Sequence, residues 1–410
     1  MAIDGIDLND PERFVRGEHH EMFTRLRAED PVYWQEDAFG GYWNVVKHQD
    51  LIDVNRDTAL FSSEIGGTQI PVTQDDPENF MDPRGLIMLE MDPPKHTRYR
   101  LLVNKGFTPR MIGLIEQALE FRAQSIVDEV IEKGECDFVE DIAAELPLQA
   151  IAEIMGVPQE DRRKLFEWSN RMIGAADPEY ASDDQGNAFM ELFAYSNALA
   201  AQRRDDPRDD IVTTLLNSEI EGEQLSELEF DMFMMLLAVA GNETTRNATA
   251  HAMHAFMTHP DQLALVQSDP DRHFDTAVEE VLRWATPVLH FRRTATKDTE
   301  IRGQKIAEGD RVVIWHISAN RDEEVWDNPF DFDVTRNPNP HIAFGGGGSH
   351  FCLGANLARM ELRLILREVV TRMPDMHMTG EPQRLRSNFI GGIKHLPVAW
   401  TPGSRVLADS

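Results

Sequence analysis

The run Phe344-Gly-Gly-Gly-Gly-Ser-His-Phe-Cys352-Leu-Gly354 decides how the rest of the 410-residue chain is read. Gly345 to Gly348 lack a Cβ, so their backbone can take positive φ and lie close against a planar ligand. A helical pattern begins at Gly354, just beyond the cysteine. A glycine run leading into a helix can also cradle phosphate, but no Lys-Ser/Thr pair follows these glycines. Thiolate is a soft ligand that suits iron, zinc or copper. Tetrahedral zinc and iron–sulfur sites draw several ligands from the protein. The other cysteine, Cys136, lies far away in sequence. A single axial thiolate on haem iron fits best.

Composition narrows the surroundings of that loop. The formal net charge is −31, from 71 acidic and 40 basic residues, which argues against nucleic acid or an anionic membrane as partner. The longest apolar stretch, Met232 to Ala240, is nine residues, whereas a bilayer span needs about 20. No membrane span and no signal peptide are expected. Two cysteines far apart make a structural disulfide improbable and a reducing cytoplasm the natural home.

Helical periodicity dominates. Helices are predicted over Pro11–Glu29, Pro94–Phe107, Met111–Lys133, Ile142–Met155, Gln159–Ile173, Gln185–Arg203, Ser226–Met257, Pro260–Gln267, His273–Thr286 and Gly354–Met373. Ser226 with Glu229 three residues later reads as a capping box. The helix it opens is long enough to cross a whole domain. Strands are predicted at Val32–Trp34 and Tyr42–Val46, then at Phe291–Thr296, Glu300–Ile301 and Arg311–Trp315. Asp322 to Pro340 should be irregular but pinned by Trp326, Phe330 and Phe332. The expected fold is mainly α with a minor β region, as one domain over residues 1–410.

Four constellations carry chemistry. The long helix holds Ala240-Gly-Asn-Glu243-Thr244-Thr245 after a wholly apolar run, a polar notch that is costly unless satisfied or used. Ala240 and Gly241 remove bulk there, which leaves room for a small molecule or simply marks a packing contact. Thr can bond back to the carbonyl four residues earlier. Glu280 and Arg283 lie three apart on one helical face, ordinarily a surface pair worth little. His96 and Arg100 lie four apart and face one way, as a grip for a carboxylate or as a solvated basic face. Arg293 and His350 are further donors.

In this order the pieces Asp92-Pro-Pro-Lys-His96-Thr-Arg98, Ala240-Gly-Asn-Glu-Thr-Thr245, Glu280-Val-Leu-Arg283 and the cysteine loop closely resemble the cytochrome P-450 family of haem-thiolate monooxygenases. The resemblance covers nearly the whole chain and implies a long central helix over haem b. It implies Cys352 as the axial ligand of the haem iron, with Phe344 packed beside it and Gly354, Ala240 and Gly241 against the cofactor. It implies a buried ion-pair triad of Glu280, Arg283 and Arg336, and His96, Arg100, Arg293 and His350 as holders of the propionates. Thr244 would handle dioxygen and Glu243 would relay protons. The loop departs from the commonest family pattern by one extra glycine, so Phe344 stands eight residues before the cysteine rather than seven. That longer loop resembles the bacterial group that hydroxylates terminal methyls of cholesterol-type side chains and methyl-branched lipids.

The resemblance further implies O2 insertion into a C–H bond of a lipophilic substrate, terpenes and alkanes being other candidates. Electrons would come from a ferredoxin-type donor and its NAD(P)H-dependent reductase. Lys105, Arg110, Arg359 and Arg363 are candidate docking cations. Substrate walls are expected from Phe80, Leu86, Ile87, Met88 and Leu89, from Met235, Leu236, Val239 and Ala240, from Val288, Leu289 and Phe291, and from Phe389 and Ile390. A peroxide-driven hydroxylase and a non-enzymatic haem sensor or lipid binder are the alternatives.

Overall fold

The longest helix begins where its cap dictates. The Glu229 N–H donates to Ser226 Oγ at 3.2 Å, and the Ser226 N–H donates to Glu229 Oε2 at 2.9 Å. The helix then runs Glu227–Thr258, 32 residues, or about 48 Å. A computed structural model describes residues 3, 5–70, 84–104, 109–173, 177–180, 185–208, 210–219, 222 and 224–407. Helices Glu145–Met155, Arg162–Ile173, Gln185–Asp205, Pro270–Ala285 and Ala355–Arg372 pack against this long helix.

The early and late strands, separated by most of the chain, join one mixed sheet. Val32–Gln35 pairs antiparallel with Tyr42–Val45, and Tyr42–Val45 pairs parallel with Arg311–Trp315. Arg311–Trp315 pairs antiparallel with His290–Ala295, whose outer neighbour is Phe61–Ser62. The predicted strand at Glu300–Ile301 stands outside this sheet, in the hairpin Thr299–Ile301 with Gln304–Ile306.

Three helical expectations change. The predicted Pro11–Glu29 helix breaks into Pro11–Val15 and His19–Glu29, because Gly17 turns the chain at φ 75°. The helix expected from Ile142 starts at Glu145, after a π-helical turn over Val139–Ala143. The segment His48–Arg56, given no helix from the sequence, is helical. Its Ile52, Asn55 and Arg56 lie against the glycines of the cysteine loop.

The segment from Asp322 to Pro340 has neither helix nor strand. Trp326 and Phe332 anchor it, each 3% exposed, while the more exposed Phe330 meets the His20 ring edge-on at 6.0 Å. A backbone without a ladder must satisfy its carbonyls elsewhere, and here two guanidinium groups do so, Arg336 reaching the carbonyls of Asp327, Asn328 and Asp331. Arg283 donates to the carbonyls of Asn320 at 3.0 Å, Pro329 at 2.8 Å and Asp331 at 3.0 Å. The same guanidinium makes two 2.7 Å bonds to the Glu280 carboxylate, and both side chains are 0% exposed. Arg336 Nε lies 3.3 Å from Glu280 Oε2. The Asp333 N–H and Asn339 Nδ2 also donate to Glu280, each at 2.9 Å. Breaking a buried pair from one side leaves an uncompensated charge, at about 3–5 kcal/mol. Arg283→Leu should therefore lower unfolding stability by about that amount; a urea midpoint like that of the parent would show the pair to be dispensable.

Candidate active site

The cysteine loop closes on itself through backbone geometry. All four glycines from Gly345 to Gly348 have positive φ, between 66° and 97°. The Cys352 N–H donates to the Phe344 carbonyl at 3.0 Å, so the extra glycine is absorbed within the loop. The bare glycine faces meet protein: a Cβ on Gly346 would come within 3.0 Å of Ile52, and one on Gly347 within 3.1 Å of Arg56. Close packing of His48–Arg56 against the loop is thus what the glycines permit.

Cys352 is exposed because its side chain opens on a cavity. Desolvation by the surrounding protein pushes the thiol pKa up, while the Gly354 N–H, Arg100 and Arg359 favour the thiolate. Gly354 caps Ala355–Arg372, so the helix directs its positive end at the sulfur. Phe344 lies in the same cavity wall, with the Arg359 guanidinium 4.6 Å over its ring.

The cavity runs from the cysteine loop to the long helix and is walled mostly by apolar side chains. One wall is a stripe of the long helix: Phe233, Leu236, Ala240, Thr244 and Ala248 all line it. Thr244 Oγ1 donates to the Ala240 carbonyl at 3.0 Å, the back-bond foreseen for it. Its lone pairs remain for a donor in the cavity.

Glu243 is not in that wall. Its carboxylate pairs with Arg246 and accepts from Asn247 Nδ2 at 3.0 Å, and its Oε2 is buried without a hydrogen-bond partner among the described residues. Met235, Val239 and Glu243 share a stripe one residue removed from the lining stripe, a rotation of about 100°. Met235 and Val239 are accordingly corrected as substrate walls. Gly241 borders the cavity, but the space where its Cβ would stand is filled by the Ile151 side chain. Its missing side chain serves helix packing.

Of the other expected walls, Met88, Leu89, Val288 and Phe291 line the cavity. Ile87, Leu289 and Ile390 do not; they are buried, Ile87 and Leu289 within core clusters and Ile390 in a bridge to Val288. Phe80 and Lys105 lie outside the described residues, as does the side chain of Arg110.

The four expected carboxylate donors converge. His96, Arg100, Arg293 and His350 all border the cavity, and the two imidazoles lie 4.2 Å apart. Burial, then Arg100, lowers the His96 pKa to about 4. Burial, then Arg293 and His96, pushes His350 further down. Burial also lowers Arg293 to about 10. Both ring nitrogens of His96 and Nε of Arg293 are buried without partners among the described residues. Donors so arranged await an anion.

Among the polar residues lining the cavity, three were missed. Asn55 sits on the unforeseen helix. His316 follows a strand and has its Nδ1 buried without a partner. Glu361 shares the apolar stripe of Leu357 and Leu362, and burial raises its pKa to about 8. A carboxylate on such a stripe was a legible signal. The remaining docking cations are paired: Arg359 grips Glu279 at 2.6 and 2.9 Å, and Arg363 meets Glu116 at 3.3 Å.

The cytochrome P-450 family model matches residues 67–374, and the chain belongs to that family. It is a haem-thiolate monooxygenase whose cofactor is haem b. It is 45% identical over 408 residues to a steroid C26-monooxygenase of Rhodococcus jostii, covering 98% of this chain and 86% of that protein. It is 43% identical over 393 residues to a methyl-branched lipid omega-hydroxylase of Mycobacterium tuberculosis, covering 92% and 90%. A Mycobacterium marinum cytochrome P-450 in complex with pseudoionone superposes with a TM-score of 0.89 at 37% identity, over 98% of this chain and 99% of that one. The cavity suits haem b: one accessible thiol, apolar walls and unsatisfied donors for two carboxylates.

Gly241→Ala should displace Ile151 and destabilise the chain by about 1–3 kcal/mol. In a double-mutant cycle, adding Ile151→Ala should recover part of that loss; strictly additive costs would place the strain elsewhere.

Proposed function

We propose that Cys352 is the thiolate of this monooxygenase, and that it hydroxylates the terminal methyl of a steroid side chain or a methyl-branched lipid. The observation that carries the reading is the accessible Cys352 side chain in a cavity whose other long wall holds Thr244. Haem b supplies the oxygen-activating chemistry when bound, with thiolate ligation favouring O–O cleavage.

The protein's own part follows from its side chains. Burial keeps the Cys352 thiol pKa up, so the thiolate would form as the cofactor binds, with the Gly354 N–H, Arg100 and Arg359 favouring the anion. His96, Arg100, Arg293 and His350 hold the cofactor carboxylates by charge-assisted bonds. The Thr244 hydroxyl, its own proton engaged by the Ala240 carbonyl, keeps lone pairs that would accept a hydrogen bond from a donor in the cavity. Glu243 acts from behind that helix stripe, and a proton passing from it to Thr244 must cross the helix groove. Met88, Leu89, Leu236, Val288 and Phe291 present an apolar surface that excludes water and takes an uncharged, branched chain. The relatives named for steroid and methyl-branched lipid oxidation support that substrate class. Electrons come from a ferredoxin-type donor served by an NAD(P)H-dependent reductase, and the reaction runs in the cytoplasm.

Cys352→Ser should abolish the red-shifted Soret band of the reduced carbonyl complex; an unchanged band rejects the ligand. Thr244→Ala should uncouple reductant consumption from product and raise peroxide release, whereas retained coupling removes the role given to Thr244. Binding spectra should favour steroid side chains and methyl-branched lipids over linear alkanes, with product analysis locating the hydroxyl on a terminal methyl. Turnover by peroxide alone at the ferredoxin-supported rate would restore the peroxide-driven alternative.

A further inference from the structure

Asn55 makes a set of bonds that no other residue type can copy. Its Nδ2 donates to the carbonyls of Gly345 and Gly347, the second at 3.2 Å. Its Oδ1 accepts from Arg293 Nη2 at 2.7 Å. The orientation of the amide is forced: a guanidinium only donates and a carbonyl only accepts, so a flipped amide would oppose like groups on both sides. Asn55 is 2% exposed and borders the cavity, so water does not substitute easily for either bond.

The bonds on Arg293 set its direction. Nη1 donates to the Arg292 carbonyl at 2.8 Å and Nη2 to Asn55, while Nε is buried without a partner among the described residues. Asn55 thus fixes one edge of the guanidinium and leaves another for an anion. Its other end ties down a loop of four consecutive positive-φ glycines that have no side chains to anchor them. The pair of accepting carbonyls, Gly345 and Gly347, lies within that lengthened glycine run.

We propose that Asn55 is a positioning residue that locks the cysteine loop to the carboxylate-binding Arg293, so that thiolate and cofactor anchor keep one fixed spacing. This rests on the roles given above to Cys352 and Arg293. Aspartate is the informative substitution. It is isosteric and keeps the Arg293 contact, but it sets a carboxylate against two carbonyl oxygens.

The test uses holoenzymes of the parent, Asn55→Ala, Asn55→Asp and Val54→Ala. Val54 is a buried neighbour on the same helix and controls for helix packing. Two quantities are read: the spectrum of the reduced carbonyl complex, and the rate of haem transfer to excess apomyoglobin. Both Asn55 variants should transfer haem about tenfold faster or more, the scale of a lost buried hydrogen bond. Both should shift part of the spectrum from the thiolate band to the shorter-wavelength band of a neutral thiol, and Val54→Ala should do neither. Asn55→Asp behaving as the parent overturns the lock, and so does Val54→Ala reproducing the Asn55 effects. Because Asn55→Asp preserves volume and one bond, the test survives poor folding of Asn55→Ala. A parent without the red-shifted band would instead refute the Cys352 assignment, and this proposal with it.

Discussion

The buried Glu280 carboxylate is the interaction on which the cysteine side of the molecule depends. A carboxylate removed from water is tolerable only when its oxygens are fully engaged, and this one is surrounded by donors from Arg283, Arg336, Asn339 and the Asp333 backbone. Arg283 carries the effect onward to the Asn320 carbonyl and to two carbonyls, of Pro329 and Asp331, in a segment that has no ladder of its own. That segment runs directly into Ile342, Ala343 and Phe344, where the cysteine loop begins. An ion pair on one helix thereby holds an irregular backbone, and the backbone holds the thiol.

The opposite wall is governed by helical phase. Over a buried helix of 32 residues the sequence is apolar on nearly every side, so composition does not say which stripe meets the cavity. A shift of one residue rotates a side chain by about 100°, enough to carry Glu243 from the cavity to Arg246 and Asn247. Thr244 falls on the lining stripe and Glu243 beside it. A threonine facing the cavity and a carboxylate behind it make two environments from adjacent residues: one open to small molecules, the other sealed and charged.

His96 and Arg293 border the cavity with buried polar atoms that have no partner among the described residues. Protein interiors pair nearly all their polar atoms, yet both nitrogens of His96 and Nε of Arg293 are buried without partners among the described residues. Desolvation lowers the pKa of both groups, and of His350, although Asp92 partly offsets it at His96 and Asp92 and Glu90 do so at Arg293. An entering carboxylate relieves that cost, which makes cofactor binding and the folding of this corner mutually supportive.

Much of this was legible in the chain alone, because its signals are local. The Ser226 capping box sets a helix start by bonds three residues apart. The glycine run permits positive φ wherever it lies, and His96 and Arg100 share a face by helical spacing alone. Family motifs in order placed Cys352, Glu280 and Arg283. Tertiary structure decided what depends on distant partners: that Glu280 and Arg283 are fully buried, that Gly241 makes way for Ile151, and that Phe330 faces out. It also brought Asn55 to Gly345, Gly347 and Arg293, residues some 240 to 290 positions away. A nine-residue helix does not announce its partners, since the bonds that give it meaning form only when the two ends of the chain meet.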